Sequence, residues 1–131
     1  MIGAHIRGIG VDAVAIARMD RGRLGEYALG RLFHPLEVEQ VNQLKVGAEA
    51  FLASRFAAKE ALVKALGTGF RGVAPREIAV VPDDLGKPEF RLDPQVLVRL
   101  GIQKTRLHLA LTHEGDLALA FVVLEDVDGP V

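Results

Sequence analysis

The sequence predicts an α+β protein, a mainly antiparallel sheet packed on one long central helix. Three observations carry this. Residues 48–66 are mostly strong helix formers, Ala and Leu with a few long side chains, and Gly67-Thr68-Gly69 stops them. Five shorter runs are rich in Val, Ile, Leu and Phe and bounded by turn residues. Their order is strand, helices, two strands, helix, two strands, with no internal repeat, low-complexity tract or linker. At 131 residues the chain has the commonest size for one domain, so residues 1–131 are read as a single domain.

Residues 4–12, AHIRGIGVD, read as a strand that ends at Asp12. Residues 13–33 are helical in tendency, with breaks at Gly22, Gly25 and Gly30. His34-Pro35 punctuates them, and Pro35 suits the first turn of a short helix into the mid-forties. After the main helix, GTGFRGVAP is a glycine-rich loop. REIAVVP (76–82) and EFRL (89–92) form a hairpin around DDLGKP. Asp93 caps a short helix that Pro94 begins and Gly101 ends. TRLHLALTH (105–113) and DLALAFVVLE (116–125) are the last two strands, and the tail DVDGPV is expected to fray. The final strand is nearly continuously apolar, so one of its faces is a candidate oligomer interface.

Composition excludes several function classes. The chain is 50% hydrophobic and 25% charged, with a net charge of -1. No global basic field argues for nucleic acid, and with six Phe, one Tyr and no Trp, base stacking is not its main device. No cysteine is present, hence no disulfide, thiolate site or Cys nucleophile. No apolar run approaches a membrane span and no signal-peptide core opens the chain. The expectation is a soluble, cytoplasmic protein with no membrane role.

Each residue that can carry chemistry has two readings. Asp12 is a turn or cap aspartate, or a hard-metal ligand at a strand end. Glu60 and Lys64 stand four apart on one ridge, a favourable surface pair. Alternatively Glu60 binds a cation with Asp12, and Lys64 binds phosphate; Mg²⁺ commonly takes one or two protein carboxylates and fills its other positions with water and phosphate. Gly67 and Thr68 belong to a helix stop, or to a stop whose backbone amides also meet phosphate. His113 after Thr112 is structural, or a phosphate ligand or proton carrier. Arg18, Arg21 and Arg23 are a solvated face, or a dock for an acidic partner. The histidines lack zinc spacing, and Gly8-Ile9-Gly10 alone is not a dinucleotide fingerprint.

GIGVDAVAIARM, SRFAAKEALVKALGTG, DDLGKPEF and LALTHEGDLALAFVV, in that order, resemble the bacterial holo-acyl-carrier-protein synthases, small 4′-phosphopantetheinyl transferases. The similarity spans residues 6–125, and the KEA-x-x-KALGTG element is its most specific part. The resemblance implies the 4′-phosphopantetheinyl transferase fold and transfer of the phosphopantetheine arm of coenzyme A to a serine of apo-acyl carrier protein, releasing adenosine 3′,5′-bisphosphate. It implies Mg²⁺ held by Asp12 and Glu60, and Lys64 on a coenzyme A phosphate. Gly86, Lys87 and Pro88 would line the adenine side and Thr112, His113 and Arg55 the 3′-phosphate, while Gly67 and Thr68, at the helix stop, would open space for coenzyme A. Arg18, with Arg21 and Arg23, would dock the acidic carrier. A homotrimer with sites between subunits is also implied, serving fatty-acid or polyketide carriers. The chain departs from the family's usual text at Val11, Ala13, Ala15 and Leu117, none a metal position.

The implied chemistry is coherent. The diphosphate repels a serine nucleophile until cations neutralise it, the task of Mg²⁺ and Lys64. Glu60, directly or through a water it polarises, is the expected base. Two other readings compete: a non-catalytic module that binds coenzyme A or a nucleotide, and a purely structural oligomer subunit. The first has no need of the carboxylate pair, and the second leaves the charges of the central helix unexplained.

Overall fold

A computed structural model describes residues 3–127. Among them, strands β1 (Ala4–Ala15), β2 (Ala79–Pro82), β3 (Pro88–Arg91), β4 (Thr105–Glu114) and β5 (Leu117–Val127) alternate with helices α1 (Glu26–Leu32), α2 (Pro35–Asn42), α3 (Ala48–Leu66) and α4 (Pro94–Leu100). All strand pairs are antiparallel, as the predicted class requires. They form two sheets rather than one. The larger has the order β1-β5-β4, and β2-β3 is a separate hairpin.

Helix α3 is the organising element. It is apolar on most sides because it is enclosed on most sides. Leu52, Ala53, Ala57, Ala58, Ala61 and Leu62 are all fully buried. One flank packs on β1 and β5, where Val14, Ala118, Ala120, Val122 and Leu124 face it. Phe33, Val41, Ile78, Val80 and Val96 complete the same core.

The stretch 13–33 departs from its helical expectation. β1 continues through Ala15, because β5 pairs with it as far as Leu117. A 3₁₀ turn follows at Ile16–Met19, and α1 begins only at Glu26. Ala13 and Ala15 have high helix propensity, but the neighbouring strand's hydrogen bonds and the burial of Val14 outweigh it. Gly25 is the residue before α1, whereas Gly30 lies inside it and breaks nothing. Asp12 therefore sits within the strand, not at its end. Residues 75–77 are a 3₁₀ turn, since Pro75 opens a turn and the Glu77 carboxylate accepts the Ala74 N–H at 3.0 Å. Asp126 and Val127, expected in the frayed tail, belong to β5, and the rest of that tail lies outside the described residues. Asp93 is at the cap position of α4, without a side-chain capping bond.

Candidate active site

The close approach of β1 to α3 creates the site. A Cβ on Gly8 would fall 2.0 Å from the Ala65 carbonyl oxygen, and one on Gly10 would fall 1.9 Å from that of Ala61. Only glycine permits this contact, and small Ala61 and Ala65 answer it from the helix. GIG is thus a packing motif here. It brings the strand's Asp12 onto the last turns of α3.

Lys64 reaches across that gap. Its Nζ donates to Asp12 Oδ1 at 2.7 Å and to the Val11 carbonyl at 3.3 Å. The surface pair with Glu60 is not what forms: the carboxylate across the gap takes the ammonium instead. This bond holds Lys64 protonated above its usual range. Glu60 is pushed the other way. Partial burial raises its carboxyl first, and the charge of Asp12 adds to this, against the opposing charges of Lys64 and Arg18. Two carboxylates thus repel each other beside a single bonded ammonium.

That donor set suits a hard divalent cation. Both ligands are carboxylate oxygens, and a shared cation would relieve their repulsion. Among the described residues no group of three or more His, Cys, Asp or Glu is placed to hold a metal. Asp12 and Glu60 would be the protein's whole contribution, which Mg²⁺ tolerates when water and phosphate fill its remaining positions.

The other expected residues are distributed. Arg18, in the 3₁₀ turn, is near enough for its charge to act on Glu60. Arg21 pairs with Glu26 at 3.5 Å, and Arg23 is exposed. The amides of Gly67, Thr68 and Gly69 all donate to the Val63 carbonyl, Gly67 in the left-handed conformation at φ 78°. The helix stop uses these amides, so they are not free to meet phosphate. Gly86, Lys87 and Pro88 form the hairpin tip, with the Lys87 amide on the Asp83 carboxylate at 2.8 Å.

Thr112 is on the wrong face to join Asp12. Cross-strand partners share a face: Asp12, Ala120 and Leu111 lie toward α3, whereas Ala13, Leu119 and Thr112 lie on the opposite side. His113 is exposed near the end of β4. Arg55 is five residues before Glu60, about 140° around the helix. Its guanidinium lies 4.0 Å from the centre of the Phe51 ring and donates to Ser54 Oγ at 3.2 Å. Its Nε is buried without a partner among the described residues, and burial lowers its proton affinity.

Sequence reading leaves Lys59 a plain structural charge beside Leu62 and Leu66 and does not name its partner. Lys59 and Glu37 form a fully buried ion pair at 2.6 Å. Lys59 also donates to the carbonyls of Pro75 and Ile78, while Glu37 accepts the amides of His34 and Val80. The signal was available: Lys59 shares its side of the helix with Leu62 and Leu66, so it must be buried, and a buried ammonium needs a carboxylate.

The model of the 4′-phosphopantetheinyl transferase superfamily matches residues 8–122 of this chain. The chain belongs to that superfamily, in its holo-[acyl-carrier-protein] synthase branch. The holo-[acyl-carrier-protein] synthase of Trichlorobacter lovleyi is 47% identical over 124 residues, covering 92% of this chain and 98% of the relative. That of Nitratidesulfovibrio vulgaris is 44% identical with the same coverage. Among solved structures, the synthase of Neisseria meningitidis superposes with a TM-score of 0.83 at 42% identity, over 92% of this chain and 98% of its own. The synthase of Bacillus anthracis, solved in complex with CoA (3′,5′-ADP), superposes at 0.78 with 32% identity, over 96% and 99%. The synthase fold thus carries the Asp12–Lys64–Glu60 cluster where β1 meets α3.

Proposed function

We propose that this chain transfers 4′-phosphopantetheine from coenzyme A to a serine of apo-acyl carrier protein, with Mg²⁺ bound by Asp12 and Glu60, and releases adenosine 3′,5′-bisphosphate. The observation that carries the reading is the cluster at the β1–α3 contact: two facing carboxylates and one lysine, in a chain whose relatives are named for this activity. The serine oxygen bonds to the phosphorus that bears pantetheine, and that phosphorus loses its bridge to the adenosine phosphate. Mg²⁺ would neutralise the diphosphate and stabilise the leaving group. Lys64, half exposed on a flexible stem, can swing from Asp12 to phosphate. Glu60, directly or through a water it polarises, takes the serine proton.

The site is completed by a second copy. Thr112 lies on the sheet face away from Asp12, and that face exposes Ile9, Val11 and Phe121. Packing it against another chain brings Thr112 of one copy toward the carboxylates of the next, with His113, Arg55 and Gly86-Lys87-Pro88 lining the nucleotide end. A homotrimer closes this arrangement. The glycines and Thr68 after α3 give room for the ligand rather than amides. Arg18, Arg21 and Arg23 receive the acidic carrier beside the serine's point of attack.

The deciding experiment incubates the protein with apo-acyl carrier protein, coenzyme A and Mg²⁺ and weighs the carrier. A gain of one phosphopantetheine is expected. No gain from a folded sample with several carriers overturns the reading.

A further inference from the structure

We propose that the buried pair Lys59–Glu37 positions the coenzyme A site: it takes the place of a neighbouring strand along β2 and so sets the Gly86-Lys87-Pro88 turn against the helix that carries Glu60. The inference rests on the transferase reading, which puts that turn at the nucleotide end of the substrate.

The hairpin has need of such a tie. Among the described residues β2 has β3 on one edge and no strand on the other. Ile78, just before β2, and Val80 within it are fully buried, so their backbone polar groups need partners inside the protein. The Ile78 carbonyl accepts from Lys59 Nζ, and the Val80 amide donates to Glu37 Oε2 at 3.1 Å. In extended chain, groups two residues apart lie along the same edge. One ion pair thus supplies the donor and the acceptor that an adjoining strand would offer. Its other bonds are spent as well. Lys59 donates to the Pro75 carbonyl at 3.1 Å, and Glu37 Oε1 accepts from Lys59 at 2.6 Å and from the His34 amide at 2.9 Å. With every donor of the ammonium used, α2, α3 and the root of β2 are held in one arrangement.

The tie lies on the path to the site. Val80 opposes Phe90, and Pro82 opposes Pro88. The turn therefore begins two residues beyond the bonded amide, about 7 Å of paired strand. The turn has a lock of its own, since Asp83 Oδ1 accepts the amides of Leu85 at 2.9 Å and Lys87 at 2.8 Å. A hairpin locked at its tip and bonded at its root shifts as one piece. On the helix, Lys59 immediately precedes Glu60. The same few bonds thus fix the turn to the body that places the carboxylates. In a symmetric assembly each copy's turn is held to its own α3, so the spacing repeats at every site, whichever copy's carboxylates the turn serves. Small displacements of a group that positions substrate are felt strongly.

Steady-state kinetics test this. Lys59→Met with Glu37→Leu removes both charges and leaves the Ile78 carbonyl and the Val80 amide without these partners. With its fold checked by circular dichroism, the double variant should show a KM for coenzyme A about tenfold higher and a kcat within about twofold of wild type. Its KM for the carrier should not change. Inhibition by adenosine 3′,5′-bisphosphate should weaken by about the same tenfold factor, because that product is the nucleotide end alone. A merely structural pair would reduce the fraction of active protein, which lowers kcat and leaves each KM where it was. A folded double variant with the wild-type KM for coenzyme A and wild-type inhibition overturns the proposal. Should it not fold, Glu37→Gln reads the same split: it keeps the volume and an oxygen for Lys59 but turns an amide donor toward the Val80 N–H. A wild type that modifies the carrier, beside folded variants that keep their KM, refutes only this inference. A wild type that modifies no carrier refutes the transferase reading beneath it.

Discussion

Lys59 and Glu60 are neighbours in sequence with opposite fates. Lys59 is buried in full, and desolvation lowers its proton affinity against the pull of Glu37. Phe33 lies under the ammonium, 5.5 Å from it. Removing one partner of such a pair strands the other. Lys59→Met should therefore cost about 3–5 kcal/mol in urea unfolding. Lys59→Met with Glu37→Leu should recover much of that loss but not all, because the His34 and Val80 amides lose their acceptor. A single variant as stable as the parent would show that the pair contributes nothing. Glu60 is partly exposed and its carboxyl is raised, so its ionised form weakens the fold of the metal-free protein. Glu60→Gln should melt higher than wild type at pH 8 in metal-free buffer. The gap should close as pH falls through the raised value toward that of the unfolded chain. The same variant should lose transfer by about 100-fold or more at saturating Mg²⁺. Normal turnover would remove Glu60 from the role of base.

At the scale of elements, the contact between β1 and α3 decides the geometry of the site. Gly10→Ala places a methyl group inside the Ala61 carbonyl, and no flexible side chain can give way. The strand must lift off the helix. Loss of about 3 kcal/mol or more in thermal or urea unfolding is expected. Transfer should fall as well, because Asp12 moves away from Lys64. Gly30→Ala is the control. It lies on an exposed part of α1 with open space around it, so it should leave both stability and transfer intact or improve stability slightly. Equal behaviour of the two variants would mean that the close approach does not matter. Element boundaries follow the same physics. The main helix appears over residues 48–66 as expected, since propensity and burial agree there. Residues 13–15 go against propensity because β5 offers hydrogen bonds that a local reading does not contain.

For the whole molecule, the outer face of the sheet is apolar and exposed within one chain. Phe121 is 47% exposed and Val11, its cross-strand partner, 58%. Large apolar groups grouped on one face mark a contact surface. Phe121→Glu puts a charge at its centre. Sedimentation should shift from an assembly to single chains while the circular dichroism spectrum is retained, and transfer should fall together with assembly. A fully active monomer would refute the shared site. The described residues include no helix long and apolar enough to cross a membrane.

The sequence by itself determined the class of fold, the long central helix and the hairpin around DDLGKP. These follow from local propensity, turn chemistry and a dense family pattern, all written in neighbouring residues. Only the tertiary structure decided how the charges pair. On the helix alone Glu60 and Lys64 look like partners. Once two glycines let β1 close on α3, Asp12 offers a nearer carboxylate, and Lys64 takes it. Lys59 likewise found a partner 22 residues away that no periodicity could name. The separation of Asp12 and Thr112 onto opposite sheet faces is also tertiary, because it depends on the strand register and on which face α3 covers. Ion pairing falls off with distance in space and is deepened by burial, and neither quantity is a property of sequence spacing.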